Sequence, residues 1–184
     1  MEITYIRAMT IQFKFAAGKA YAAIHWMVSR HPGIDLHAAL KAFYFADKSH
    51  LNAQRRPIFG ASYKAMKFGP VPLEIYEMMK GEALWKAELG REEFPWELAG
   101  YHLRSMTNSE PDMDSFSESD VEHLERGLSQ SLEMSFTERT AATHGPDWQH
   151  ANLGRMRYED MLDDGPHKSE IVAYLEANAR YMRL

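Results

Sequence analysis

A mainly α fold, a single compact helical domain with room for a small β-hairpin or strand pair, is predicted by three features of the sequence. Apolar residues return every three or four positions in several runs, Ser-x-x-Glu patterns open two of those runs, and Gly or Pro closes most of them. The 184 residues suffice for one sizeable core and are short for two, so the chain is read as one domain, 1–184. Hydrophobic residues at 45% and charged residues at 26% are the balance of an ordinary globular protein, which excludes disorder as a description of the whole.

Taken in order, residues 15–29 place Phe15, Ala16, Ala20, Ala23, Ile24, Met27 and Val28 at helical spacing, and His31-Pro32-Gly33 stops the run. Asp35 suits the N-cap of a second helix, in which Leu36, Ala39, Leu40, Phe43 and Tyr44 fall on one face. Arg55-Arg56-Pro57 ends it. Residues 58–68 hold Phe59, Tyr63, Met66 and Phe68 in an extended segment that reads equally as a short strand or an irregular turn. Gly69-Pro70-Val71-Pro72 reads as a turn leading into a third helix with Val71, Ile75, Tyr76 and Met79 as its stripe and Gly81 just past its end.

A short helix is expected within residues 82–90 and a second strand within residues 93–106, so that a strand pair would involve the Tyr63 and Tyr101 regions. Residues 107–119 are polar, acidic and proline-containing, a surface loop. Ser119 with Glu122 reads as a capping box for a fourth helix carrying Val121, Leu124, Leu128 and Leu132. Ser135 with Glu138 repeats the device for a fifth helix, closed by Gly145-Pro146 and followed by a turn holding Trp148. After residues 156–162 and the turn Asp163-Asp164-Gly165-Pro166, a terminal helix is expected with Ile171, Tyr174, Leu175 and Met182 on one face.

Composition narrows function mainly by exclusion. A net charge of −5 leaves no basic footprint for neutralising phosphates, so nucleic acid is an unlikely partner. With no cysteine, disulfides, thiolate metal sites and cysteine nucleophiles are ruled out, and the chain suits a reducing cytoplasm. The opening MEITYIRAMTIQFKF has neither a long apolar core nor a small-residue cleavage site, and no window approaches the roughly 18 uninterrupted apolar residues of a membrane span. The cytoplasm is the expected location.

The motif that does point somewhere lies within residues 36–81. It comprises the helix LKAFYFAD (residues 40–47), a polar connection, then Tyr63, Ala65, Gly69-Pro70-Val71 and Tyr76 in that order. Further on, Thr143-His144-Gly145-Pro146-Asp147-Trp148 supplies a histidine followed by a tryptophan. This combination resembles the Panacea domain of SocA-like antitoxins, found in bacterial and phage toxin–antitoxin pairs, and the similarity spans roughly residues 15–175. Gly-Pro-Val alone is common; its order and spacing after YFAD and before IYEMMK carry the resemblance. The resemblance implies a non-enzymatic antitoxin that binds and neutralises a cognate protein toxin. Alternatives it leaves open are an adaptor delivering the toxin to an ATP-dependent protease and a phage-encoded module binding a host protein. Several related antitoxins carry an added DNA-binding segment that this sequence does not show, so operator binding is not expected of it.

Candidate partner-binding residues follow from the motif: Tyr44, Tyr63, Lys67, Gly69, Pro70, Val71 and Tyr76. Each has a structural reading beside the functional one. Phe43, Tyr44 and Phe45 point in three directions at about 100° per residue, so at least one lies near the surface or beneath another element, and core packing is their ordinary fate. Gly69 and Pro70 have backbone roles of their own. Lys64, Lys67, Arg55 and Arg56 offer a basic patch for an acidic toxin, or a solvated loop.

Nine histidines invite a metal, yet there is no HExxH, and His144 and His150 lack the i, i+4 placement of a zinc pair. No GxSxG, P-loop or GxGxxG occurs, and Asp112, Asp114, Asp163 and Asp164 sit in turn-like sequence. A metal-dependent hydrolase is therefore the remote reading, and no catalytic residue, metal ligand or cofactor is assigned. His144 beside Trp148 reads as a hydrogen-bonded histidine holding a turn.

Overall fold

The helix α2 (Leu36–Gln54) is the axis of the molecule, and its sequence explains why. In the computed structural model, which describes residues 10–184, the Asp35 side chain accepts a hydrogen bond from the Ala38 amide at 3.0 Å, the cap expected of it. Arg55, in the left-handed conformation with φ 60°, ends the helix. Between those ends the helix is buried on almost every side, with Ala39, Ala42, Phe43 and Ala46 at 0% exposure. A helix buried on most of its circumference belongs in the middle of a core. The three successive aromatics Phe43, Tyr44 and Phe45 are accordingly all buried.

Helix α1 (Ala17–Arg30) contributes Ala20, Ala23, Ile24 and Met27 to the same core, and His31 and Gly33 end it. Helix α5 (Glu118–Glu133) lies along α2. The approach is close because Gly127 faces small residues: a Cβ there would stand 2.6 Å from the Ala42 carbonyl oxygen and 2.8 Å from the Ala46 amide nitrogen. Its cap differs from the expected one. Ser117 and Asp120 form the capping box, two residues before the Ser119–Glu122 pair that matches the same pattern. Burial decides between the registers, since Asp120 is fully buried and Glu122 is exposed.

Two small antiparallel sheets complete the frame. Strands β2 (Tyr63–Met66) and β3 (Gly69–Pro72) pair Tyr63 with Pro72 and Met66 with Gly69, leaving Lys67-Phe68 as the turn. Gly69-Pro70-Val71 is thus a strand rather than the turn expected. Its prolines cannot donate to a ladder, which suits a two-stranded ribbon. Strands β1 (Ile34–Asp35), β4 (Trp96–Ala99) and β5 (His102–Ser105) form the second sheet in the order β1-β5-β4. The Tyr63 and Tyr101 regions therefore belong to separate sheets, and Tyr101 sits in the β4–β5 turn.

Helices α3 (Leu73–Met79) and α4 (Ala83–Glu88) lie between the sheets in sequence, with Gly81 at φ +73° just past α3 as predicted. Ser135 and Glu138 do form the capping box of α6 (Phe136–Thr143). Gly145-Pro146 does not close that helix; it opens α7 (Pro146–Ala151), which contains Trp148. Helices α8 (Tyr158–Met161) and α9 (Lys168–Asn178) and a 3₁₀ turn at Ala179–Tyr181 finish the chain. On α9, Leu175 is buried and Tyr174 is 53% exposed, so the expected stripe is narrower than four residues. The molecule is mainly α, as predicted. Among the described residues no helix is long and apolar enough to cross a membrane. Residues 1–9 of the opening segment, read above for a targeting sequence, lie outside the described part.

Candidate functional site

The β2–β3 ribbon is held against α2 by side chains buried beneath it. Lys41 Nζ donates to the Pro70 carbonyl at 2.8 Å from a site only 1% exposed. Gly69 is required where it is: its φ is +103°, and a Cβ would collide with the Thr143 hydroxyl and stand 2.8 Å from Lys41 Cε. Trp148 Nε1 donates to the Met66 carbonyl at 2.9 Å, and His144 stacks on the same indole at 3.7 Å.

Two aspartates fix the interior. Asp47 accepts from the Ile58 and Phe59 amides at 2.7 and 3.1 Å and from the Tyr63 hydroxyl at 2.9 Å. Burial pushes its carboxyl up to about 6 despite those bonds. Asp147 accepts from the Tyr44 hydroxyl at 2.5 Å and pairs with Lys48 at 3.1 Å. Tyr44 and Tyr63 are therefore interior residues, a correction to the expected contact surface: a tyrosine whose ring is packed and whose hydroxyl is spent on a buried carboxylate has nothing left to offer a partner.

Above Lys41 the chain leaves an apolar groove of about 770 Å³. Its floor is the first turns of α2, with Leu36, His37, Leu40 and Lys41; the ribbon contributes Met66 to Gly69 and Val71; Asp35, Tyr76, Tyr101, His102 and Phe136 complete the lining. Phe68 and Phe136 meet edge to face at 5.2 Å, and Phe136 packs on His37 at 4.2 Å. These large apolar side chains remain exposed, Phe68 at 46%, Phe136 at 45% and Tyr101 at 76%. Aromatics left in water around a concavity mark a contact surface more often than scattered ones do.

Two lysines, two histidines and Asp35 set the electrostatics of the groove. Burial, then the neighbouring Arg139 guanidinium, bring the Lys41 amine down to about 7. His37 is lowered by burial and next by Lys41. Its Nε2 donates to the Phe68 carbonyl at 3.1 Å and its Nδ1 accepts from Arg139 Nε at 3.3 Å, a pattern only the neutral ring satisfies. Lys67 stands at the ribbon turn with its Nζ over the Phe68 ring at 5.2 Å.

Of the seven residues predicted, Lys67, Gly69, Val71 and Tyr76 line this groove, Pro70 supplies the carbonyl that anchors Lys41, and Tyr44 and Tyr63 lie in the interior. The wider basic patch does not assemble. Arg56 turns inward to Asp120 at 3.0 Å, and Arg55 donates to the Asn52 carbonyl at the other end of α2. Sequence reasoning missed Lys41, His37, Phe68, Tyr101 and Phe136. Lys41 had one legible signal, a lysine within the apolar half of a helix expected to be central to the core; Tyr101 and Phe136 come from distant segments. Among the described residues no group of three or more His, Asp or Glu is placed to hold a metal ion.

The motif residues thus interlock: Lys41 with Pro70, Tyr44 with Asp147, Asp47 with Tyr63, and Trp148 with the ribbon. A family model described as antitoxin SocA-like, Panacea domain, matches residues 40–149. The chain belongs to that family. Searches of the curated proteins and of the solved structures return no match. The matched span of the Panacea domain runs from Leu40, one residue before the buried lysine, to Gln149, one residue past the indole beneath the ribbon. It therefore includes all four interlocking pairs, and most of the groove lining with them.

Proposed function

We propose that this Panacea-domain protein is an antitoxin that binds a cognate protein toxin stoichiometrically, and that the groove beside the ribbon is its contact face. The observation that carries the reading is the convergence of Lys67, Gly69, Val71 and Tyr76 from the family motif with exposed Phe68, Tyr101 and Phe136 on one concavity. Neutralisation by binding needs no reacting group. It needs an interface, usually of roughly 1,200 to 2,000 Å², in which a few aromatic and cationic anchors carry most of the affinity. Cations inside an apolar groove on a chain of net charge −5 favour a partner that brings negative charge to that one place.

Co-expression with the product of the neighbouring reading frame, scoring growth and co-purification, tests this. Rescue of growth with a stable complex is expected. Phe136→Ala combined with Tyr101→Ala is expected to weaken the complex by about a hundredfold, since each aromatic anchor is commonly worth ~1 to 2 kcal/mol. Rescue with a falling toxin level and no complex would favour delivery to a protease. Rescue unaffected by the double substitution would place the contact face elsewhere.

A further inference from the structure

Lys41 is an amine buried in an apolar floor with unused capacity. An ammonium has three donors, and Pro70 takes one. Among the described residues no carboxylate lies within ion-pairing distance of it. The one acid in the groove lining is already engaged: Asp35 caps α2 through the Ala38 amide and faces Arg139 at 3.8 Å. The charged and titratable groups around Lys41 are His37 on its own helix, Arg139 and His144 from the α6 side, and Lys67 on the ribbon, with Asp35 the one acid. A cationic segment entering here would meet repulsion at the floor and at the rim. A purely apolar one would hold the amine neutral and gain nothing from its charge.

Resting on the antitoxin reading, we propose that the groove takes an apolar segment of the toxin that carries an aspartate or glutamate. Its carboxylate faces Lys41 and Lys67, and its apolar side chains pack on Phe68, Tyr101 and Phe136. The carboxylate provides the counter-charge that the protein itself withholds from Lys41, and the aromatics exclude water around the pair, which strengthens it. Because the free amine is near half-protonated at neutral pH and the paired one is held protonated, binding takes up a proton above pH 7.

The test uses the full chain and a display library of short random peptides, so that it does not depend on which toxin is cognate. The expected enrichment is for peptides with Asp or Glu flanked by aromatic or branched apolar residues. Exchanging the acid for its amide, or introducing Lys41→Met, Lys67→Ala or Phe136→Ala, is expected to weaken the enriched peptide about tenfold each, ~1.4 kcal/mol. Calorimetry at pH 8 in buffers of different ionisation enthalpy is expected to show proton uptake that Lys41→Met abolishes. Lys67 and Phe136 are partly exposed, so their variants retain the fold even if Lys41→Met does not. Enrichment of neutral or basic peptides, no enrichment, or acidic peptides indifferent to both Lys67→Ala and Phe136→Ala would overturn the proposal. Failure of growth rescue in co-expression, with acidic peptides still bound at the groove, would instead count against the antitoxin reading alone.

Discussion

Lys41 shows how one residue can be costly for stability and useful for binding. Its amine is held near 7 by burial, against 10.5 for an ordinary lysine. Between those values the unfolded chain holds more protons than the folded one, so this lysine makes the protein more stable as pH rises from about 7 to 10.5. Lys41→Met is expected to remove that slope while leaving stability at pH 7 equal or higher, as measured by urea unfolding across the range. Wild-type and variant stability curves that run parallel over this window would show that the amine is solvated. Asp47 acts in the opposite sense: its carboxyl, raised to about 6, binds a proton in the folded state first, so its contribution grows as pH falls from about 6 to 3.8.

Helix starts illustrate what an element needs from its sequence. Two overlapping capping patterns exist at the head of α5, Ser117 with Asp120 and Ser119 with Glu122, and propensity does not separate them. The structure uses the first because Asp120 also receives Lys19 at 2.6 Å from α1. Ser117→Ala is expected to cost about 1 kcal/mol in chemical denaturation, whereas Glu122→Ala stays within roughly 0.5 kcal/mol. The reverse order would restore the later register. A similar ambiguity holds at the ribbon. Gly-Pro-Val-Pro carries every signal of a turn, and only the pairing of Lys64 with Val71 and the anchoring of Pro70 by Lys41 make it a strand.

Across the whole molecule, Asp120 ties three segments together, receiving Lys19 from α1, His50 from α2 at 3.2 Å, and Arg56 at 3.0 Å. Burial alone would raise its carboxyl, but the hydrogen bonds from His50 and Lys19 outweigh that and hold it well below the usual carboxylate range. Its stabilisation is present above its unfolded value near 3.8 and is lost as pH falls below it. Asp120→Asn leaves Lys19 and Arg56 without their counter-charge and is expected to cost about 3 to 5 kcal/mol, read as a lower urea midpoint at pH 7. A change under roughly 1 kcal/mol would mean that water replaces the carboxylate.

The sequence by itself determined the helical class, the caps at Asp35 and Ser135, the stop at Gly81 and the family, because these depend on local geometry and on residue order along the chain. It also determined Lys67, Gly69, Val71 and Tyr76 as a group worth attention, since they lie close in sequence. Only the tertiary structure decided that Tyr44 and Tyr63 face inward, because the aspartates that hold them, Asp147 and Asp47, lie 103 and 16 residues away. It alone brought Phe136 and Tyr101 to the ribbon, and it alone made Lys41 a buried amine. Burial and charge pairing are properties of what the folded chain places around a residue, and the residue's own neighbours in sequence do not specify them.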